Sequence, residues 1–211
     1  MDDKQRAIRD VLQRTSETLE TAKFGLNDFL SHDARRKMPG LRNLIVFGRA
    51  VTNVLQNLRT YDRVRFDQWY GPLRSEMDQD PLLKFVYNLR SEILKEGKIG
   101  IGGSSTHISY LNTGDLMRSL PPSPVGATSF FIGDHLGGSG WEVPQPDGSI
   151  EKYYVALPEG SGITTRMHFT NPPSRHLGED LIETSTESIA TLYFGYLSNL
   201  VVKAYEEFMP T

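Results

Sequence analysis

The chain contains no cysteine. Disulfides, thiolate metal sites and cysteine nucleophiles are therefore excluded, and such a composition fits a reducing, cytoplasmic setting. Nor does one sign of charge dominate. Twenty-three Lys and Arg face 26 Asp and Glu, for a net charge of −3. The strongly basic balance of a general nucleic-acid binder is lacking, which leaves only local basic clusters to consider. Long hydrophobic runs are missing too. The most apolar stretches, residues 41–50 and 190–204, are interrupted by Arg, Asn, Ser or Gly. Both fall short of the ~20 residues that a membrane span requires. The first ten residues, MDDKQRAIRD, are charged and hold none of the apolar core of a secretory signal. We expect a cytoplasmic protein with no membrane association. Hydrophobic residues make up 38% of the 211, enough to fill the core of one domain of ordinary size.

Glycine and proline are unevenly spread, and their distribution divides the chain. Residues 1–97 read as helical, 98–178 as a Gly/Pro-rich segment, and 179–211 as a helical tail. We expect a single domain over 1–211 of mainly α class. It would be a bundle of about five helices with a small antiparallel β or loop-rich insertion before the C-terminal helix.

Ile8, Val11, Leu12, Thr15, Leu19, Ala22, Leu26 and Phe29 recur every three or four residues, placing one apolar stripe on a first long helix. The stretch from Ser31 to Gly40, with Pro39, reads as the loop that ends it. Leu41, Leu44, Ile45, Val51, Val54, Leu55 and Leu58 mark a second helix. Val46 and Phe47 widen its apolar surface and suggest a central place. A third helix is expected over about 64–77, with Pro72 ending or kinking it near Gly71. Asp80 as cap and Pro81 in the first turn open a fourth, and Gly97 is its natural stop. Strands are expected at 107–111, 129–132, 140–143, 152–157 and 163–169. Asp147-Gly148 would join the third and fourth of these in a hairpin, with Pro144 and Pro146 marking an edge. The tail helix should begin near Thr184, which has capping-box spacing to Glu187.

The end of the fourth helix carries the first chemical lead. Arg90, Ser91, Glu92 and Lys95 crowd polar groups there. Arg90 and Lys95 are five positions apart, about 140° around a regular helix. The segment Arg90-Ser91-Glu92-Ile93-Leu94-Lys95, late in a helical bundle, resembles the Arg-Asn-x-x-x-His motif of the HEPN superfamily. The resemblance covers the helical front and the tail, about half the chain, and omits the middle segment. It implies a homodimer whose protomers form a cleft lined by the motif, and metal-independent RNA cleavage with the ribose 2′-hydroxyl as nucleophile. Here Ser91 replaces the usual Asn and Lys95 the His. Histidine exchanges protons near its pKa of ~6.5, whereas lysine at ~10.4 stays charged. The resemblance therefore implies a degenerate, non-catalytic member in which Arg90 and Lys95 contact RNA, a nucleotide or a protein partner.

A second lead is the aromatic, Gly-rich middle. Phe131, His135, Trp141 and Tyr154 are candidates for a small-ligand platform, since glycine admits close backbone approach and rings stack on planar ligands. The alternative is that these rings fill a small core. The stretch 97–105 has many glycines but lacks the order of a phosphate-binding loop, and it reads as a flexible exit from the fourth helix. His32, His107, His135, His168 and His176 show no metal-binding helical spacing, so no metal and no cofactor are expected. The basic cluster Arg35-Arg36-Lys37 with Arg42, Arg49, Arg59, Arg63 and Arg65 is interleaved with acids and reads as surface ion pairs.

Three functional expectations follow. The first is a non-catalytic HEPN-like binding module. The second is a metal-independent endoribonuclease that uses Arg90, with Lys95, Ser91 or Glu92 standing in for the His. The third is a small-ligand sensor working through the middle segment.

Overall fold

The structure is a computed structural model that describes residues 3–109 and 112–209. It is mainly α, with a β-containing insertion before the C-terminal helix. Helix α1 spans Asp3–Leu30 and buries the stripe through Ile8, Leu12, Ala22 and Phe29. Helix α2 spans Ala34–Leu55 and is capped by the Asp33 carboxylate, which accepts from the Arg35 amide. It begins within the stretch read as a loop, and Pro39 and Gly40 are both helical. The reason is tertiary. A Cβ on Gly40 would lie 2.5 Å from the Phe29 amide nitrogen, and one on Gly25 would lie 2.5 Å from that of Leu44. These glycines let two helix backbones touch. Pro39 faces solvent. Phe47 is 38% exposed and does not add to the buried side.

Helix α3 (Leu58–Tyr61) is one turn, and α4 (Arg63–Gln79) runs on through Pro72. Pro72 is exposed, so water can serve the carbonyl that loses its helical partner. Helix α5 (Pro81–Glu96) starts and stops where local chemistry places it. The Asp80 carboxylate accepts from the Leu83 amide at 2.8 Å, and Gly97 closes the helix with φ of 67°.

Strand β1 (Ile101–Ile108) takes up residues 101–105 of the Gly-rich exit that the sequence suggests is flexible. Tyr110 and Leu111 of the expected strand 107–111 lie outside the described residues. A short helix α6 (Thr113–Ser119) follows, with no counterpart in the expected elements. Strands β2 (Ser129–Phe131), β3 (Ser139–Pro144) and β4 (Ile150–Val155) form an antiparallel sheet in the order β2-β3-β4. The Asp147-Gly148 turn joins β3 to β4. However, β3 is central rather than an edge, because Pro144 falls at its last position. Strand β5 (Ile163–Phe169) pairs with β1 in a separate two-stranded sheet. A small hairpin, β6 (Arg175–His176) and β7 (Glu179–Asp180), leads to helix α7 (Thr186–Phe208).

The cap of α7 is Ser185, one residue later than the expected Thr184, and its hydroxyl accepts from the Ser188 amide. Glu187 then stands one place short of capping-box spacing. It reaches sideways and accepts from the Met167 amide of β5 at 3.2 Å. The main core joins α1, α2, α5 and α7, and Met167 and Phe169 of β5 enter it. A small second core gathers Leu116, Leu120 and Ile163 beneath Phe130 and Trp141. Among the described residues, no helix is long and apolar enough to cross a membrane.

A candidate cleft of tyrosines and guanidinium groups

Helices α2, α4, α5 and α7 meet around a cleft of about 560 Å³. Its position begins with Gly48. A Cβ there would lie 2.6 Å from the Tyr193 ring, so Tyr193 of α7 packs directly on the backbone of α2. The next residue, Arg49, is thereby turned into the cleft. Its guanidinium donates to the Thr52 hydroxyl and sits 5.6 Å from the centroid of the Tyr87 ring on α5. The Thr52 hydroxyl in turn donates to the Arg49 carbonyl at 2.9 Å. Tyr70 of α4, 6% exposed, closes one side. Burial pushes its hydroxyl pKa up, against the pull of Arg49 and Arg74 and of hydrogen bonding with Thr52 and Arg49.

Tyr193 has a related environment. Burial raises its pKa, and Arg49 and Arg90 both act to lower it. Tyr196 donates to the Glu76 carboxylate at 3.2 Å, and burial and that carboxylate together push its pKa up. These phenols therefore stay protonated and serve as hydrogen-bond donors around the Arg49 guanidinium. Arg74, Asp78 and Lys84 complete the rim. The cationic and phenolic groups are equipped to hold an anion.

Arg90 is one helical turn from Tyr87, on the same face of α5. It is partly buried, and its Nε has no hydrogen-bond partner. Arg59, Arg65 and Arg74 each pair with a carboxylate. Arg49 and Arg90 form no ion pair among the described residues. The remaining candidates of α5 do not join Arg90. Ser91 donates to the Tyr87 carbonyl of its own helix at 3.2 Å. Glu92 and Lys95 are exposed, and Lys95 stands in the last turn.

The four aromatic-segment candidates are not gathered into one pocket. In the sheet register Phe131, Gly140 and Tyr154 are partners, and Phe130, Trp141 and Tyr153 are the next row. Successive residues of a strand point to opposite faces, so Trp141 lies across the sheet from Phe131 and Tyr154. Trp141 packs on Phe130 at 4.9 Å within the small core. Phe131 meets Tyr154 at 5.6 Å. The Tyr154 hydroxyl donates to Asp134 at 2.8 Å, and burial and that carboxylate push its pKa up to about 12. His135 is exposed in the adjoining turn.

The basic cluster is mostly accounted for. Arg35 and Arg36 pair with Asp33 and Asp28, and Arg42 donates to the Gly97 carbonyl at 2.7 Å, capping α5. Lys37 is buried with its ammonium 5.7 Å from the Phe29 ring, and burial lowers its pKa. Arg49 alone of that cluster lines the cleft. Among the described residues, no group of three or more histidines and carboxylates is placed to hold a metal.

Sequence reasoning did not single out Tyr70, Arg74, Lys84, Tyr193 or Tyr196 as site residues. The available signal was the four phenols Tyr70, Tyr87, Tyr193 and Tyr196 on α4, α5 and α7. No family model, curated protein or solved structure matches the chain.

Proposed function

We propose that the protein is a HEPN-like helical-bundle module that binds RNA or a nucleotide in this cleft without turning it over. The observation that carries the reading is the pair Arg49 and Arg90. Arg49 lines the cleft, Arg90 stands one turn along α5 from Tyr87, and neither forms an ion pair with a carboxylate among the described residues. Unpaired guanidinium groups beside aromatic rings suit phosphate and base together. The non-catalytic part is supported by the placement of Lys95, which is exposed in the last turn of α5 and does not line the cleft. A proton-transferring partner for Arg90 would have to come from elsewhere. The proposal includes a cytoplasmic homodimer, as the resemblance implies. Leu94, on α5 and 55% exposed, is an apolar side chain that such an association would cover.

The test is to titrate end-labelled single-stranded RNA with the protein in EDTA, alongside Arg49→Gln and Arg90→Gln. The expected result is a complex weakened about tenfold in each variant, equivalent to ~1.4 kcal/mol, with the RNA recovered intact. Equal binding by all three proteins would remove the cleft as the site. Cleavage by wild type that Arg90→Gln abolishes would replace the binding module with an endoribonuclease. Light scattering of the purified protein checks the dimer, and a monomer at micromolar concentration would discard it.

A further inference from the structure

Resting on the reading above, we propose that the cleft takes a single nucleotide bearing a phosphomonoester, free or at the end of a strand, in preference to an internal phosphodiester. The first argument is charge. Arg49, Arg74, Lys84 and Asp78 line the cleft. Arg74 is spent on Asp78, 3.7 Å away. Arg49 and Lys84 form no ion pair among the described residues, and Arg90, one turn along α5 from Tyr87, has a buried Nε with no hydrogen-bond partner among them. Counting the Glu76 carboxylate on Tyr196 against Arg49, Lys84 and Arg90 leaves an excess of about two cationic charges. A phosphodiester brings one negative charge, whereas a phosphomonoester brings about −1.5 to −2 at neutral pH and a further acceptor oxygen.

The second argument is shape. A volume of about 560 Å³ lies within the ~300–1,000 Å³ of sites that enclose one small ligand. Modules that read internal segments instead track several nucleotides along an open groove. The third is the arrangement of groups. Arg49 lies over the Tyr87 ring and is held by Thr52, so its remaining N–H groups are oriented before any ligand arrives. Tyr87 is still 52% exposed, which leaves ring surface for a base to stack on. Asp78 and Asn88 line the same cleft and supply an acceptor and an amide for a base edge.

The experiment is calorimetric titration of the full chain with each of the four nucleoside 5′-monophosphates, their phosphate methyl esters and the nucleosides. Single-stranded oligoribonucleotides ending in phosphate or hydroxyl complete the set. At least one monophosphate should bind about tenfold or more tighter than its methyl ester near neutral pH. That gap should narrow when the pH falls below ~6, where the monoester takes up its second proton, while the ester stays flat. Lys84→Gln, an exposed change that spares the fold, should shrink the gap, and a gap it leaves untouched would overturn the charge argument. Phosphate-ended oligomers binding as tightly as the monophosphate would identify strand ends as the ligand. Binding confined to the monophosphate would identify the free nucleotide. Equal affinity for monoester and methyl ester, or oligomer binding indifferent to the end group, would overturn this inference and leave the binding module intact. Silence from every nucleotide and oligomer would sink both.

Discussion

Gly40 in α2 and Gly148 in the β3–β4 turn reject a side chain for unrelated reasons. At Gly40 a Cβ would lie 2.5 Å from the Phe29 amide nitrogen and 2.6 Å from the Gly25 carbonyl. At Gly148 nothing lies within 4 Å, but φ is 85°. The bundle uses glycine to bring backbones together, and the insertion uses it to reverse direction. The same contrast runs through the two regions. The bundle is held mainly by interlocking apolar stripes. The insertion has a core of only a few side chains, and named tethers fix it to the bundle. Met167 and Phe169 plug into the main core. Glu187 of α7 accepts from the Met167 amide. Asp80, the cap of α5, also accepts from the Leu177 amide at 2.7 Å and from His176 Nδ1 at 3.1 Å. One buried carboxylate thus starts a bundle helix and holds the hairpin of the insertion.

The contrast is testable, and the largest effect should come from the bundle. Gly40→Val should cost about 3 kcal/mol or more, since backbone rather than a flexible side chain must give way. Urea unfolding measures it, and a loss under 1 kcal/mol would mean that α1 and α2 do not touch at Gly25 and Gly40. Met167→Ala should cost ~2–5 kcal/mol in the same assay, because Met167 is fully buried although it belongs to the insertion. An independently folding insertion would instead give a biphasic transition.

Asp80→Ala should cost ~3 kcal/mol, the scale for leaving buried partners of a charged group unsatisfied. Hydrogen exchange would then show early loss of protection at both Leu83 and Leu177. Loss at Leu83 alone would show that the hairpin is held by something else.

Asp134 provides the pH-dependent case. Burial raises its pKa, but hydrogen bonds from Tyr154, the Gly138 amide, Lys152 and the Leu136 amide together hold it below the ordinary carboxylate value. A carboxyl with a lowered folded pKa stabilises the fold above its unfolded pKa of ~3.9, and that stability is lost as pH falls through the folded value. Asp134→Asn should therefore cost about 1–2 kcal/mol near neutral pH, with the penalty fading below about pH 4. A penalty independent of pH would mean that the charge contributes nothing. The smallest effect is expected at Gly148→Ala, about 1 kcal/mol, from backbone conformation alone.

Much of the bundle was legible because its signals are local. The stripe from Ile8 to Phe29, the Asp80-Pro81 start and the Gly97 stop each depend on neighbours within a turn or two. The hairpin at Asp147-Gly148 is of the same kind. The misread positions are those where a distant contact outweighs a local preference. Pro39 and Gly40 suggest a loop until α1 is laid against Gly40. Thr184 and Glu187 suggest a capping box until β5 offers Glu187 a backbone amide. Gly102 and Gly103 suggest a flexible exit until β5 supplies a partner strand.

The candidate site divides the same way. Arg90 was visible through the motif, and Arg49 was visible only as one more surface cation. The sequence by itself determined the apolar periodicity, the helix caps, the absence of thiol chemistry and the presence of a glycine-rich segment between helices. Only the tertiary structure decided that Arg49, Tyr70, Tyr87, Tyr193 and Tyr196 share one cleft. It also decided that Lys95 does not, and that Trp141 lies across a sheet from Phe131 and Tyr154. The physical reason is that caps and stripes are satisfied within a few residues. The charge and enclosure of a cleft depend on the packing of four helices drawn from both ends of the chain.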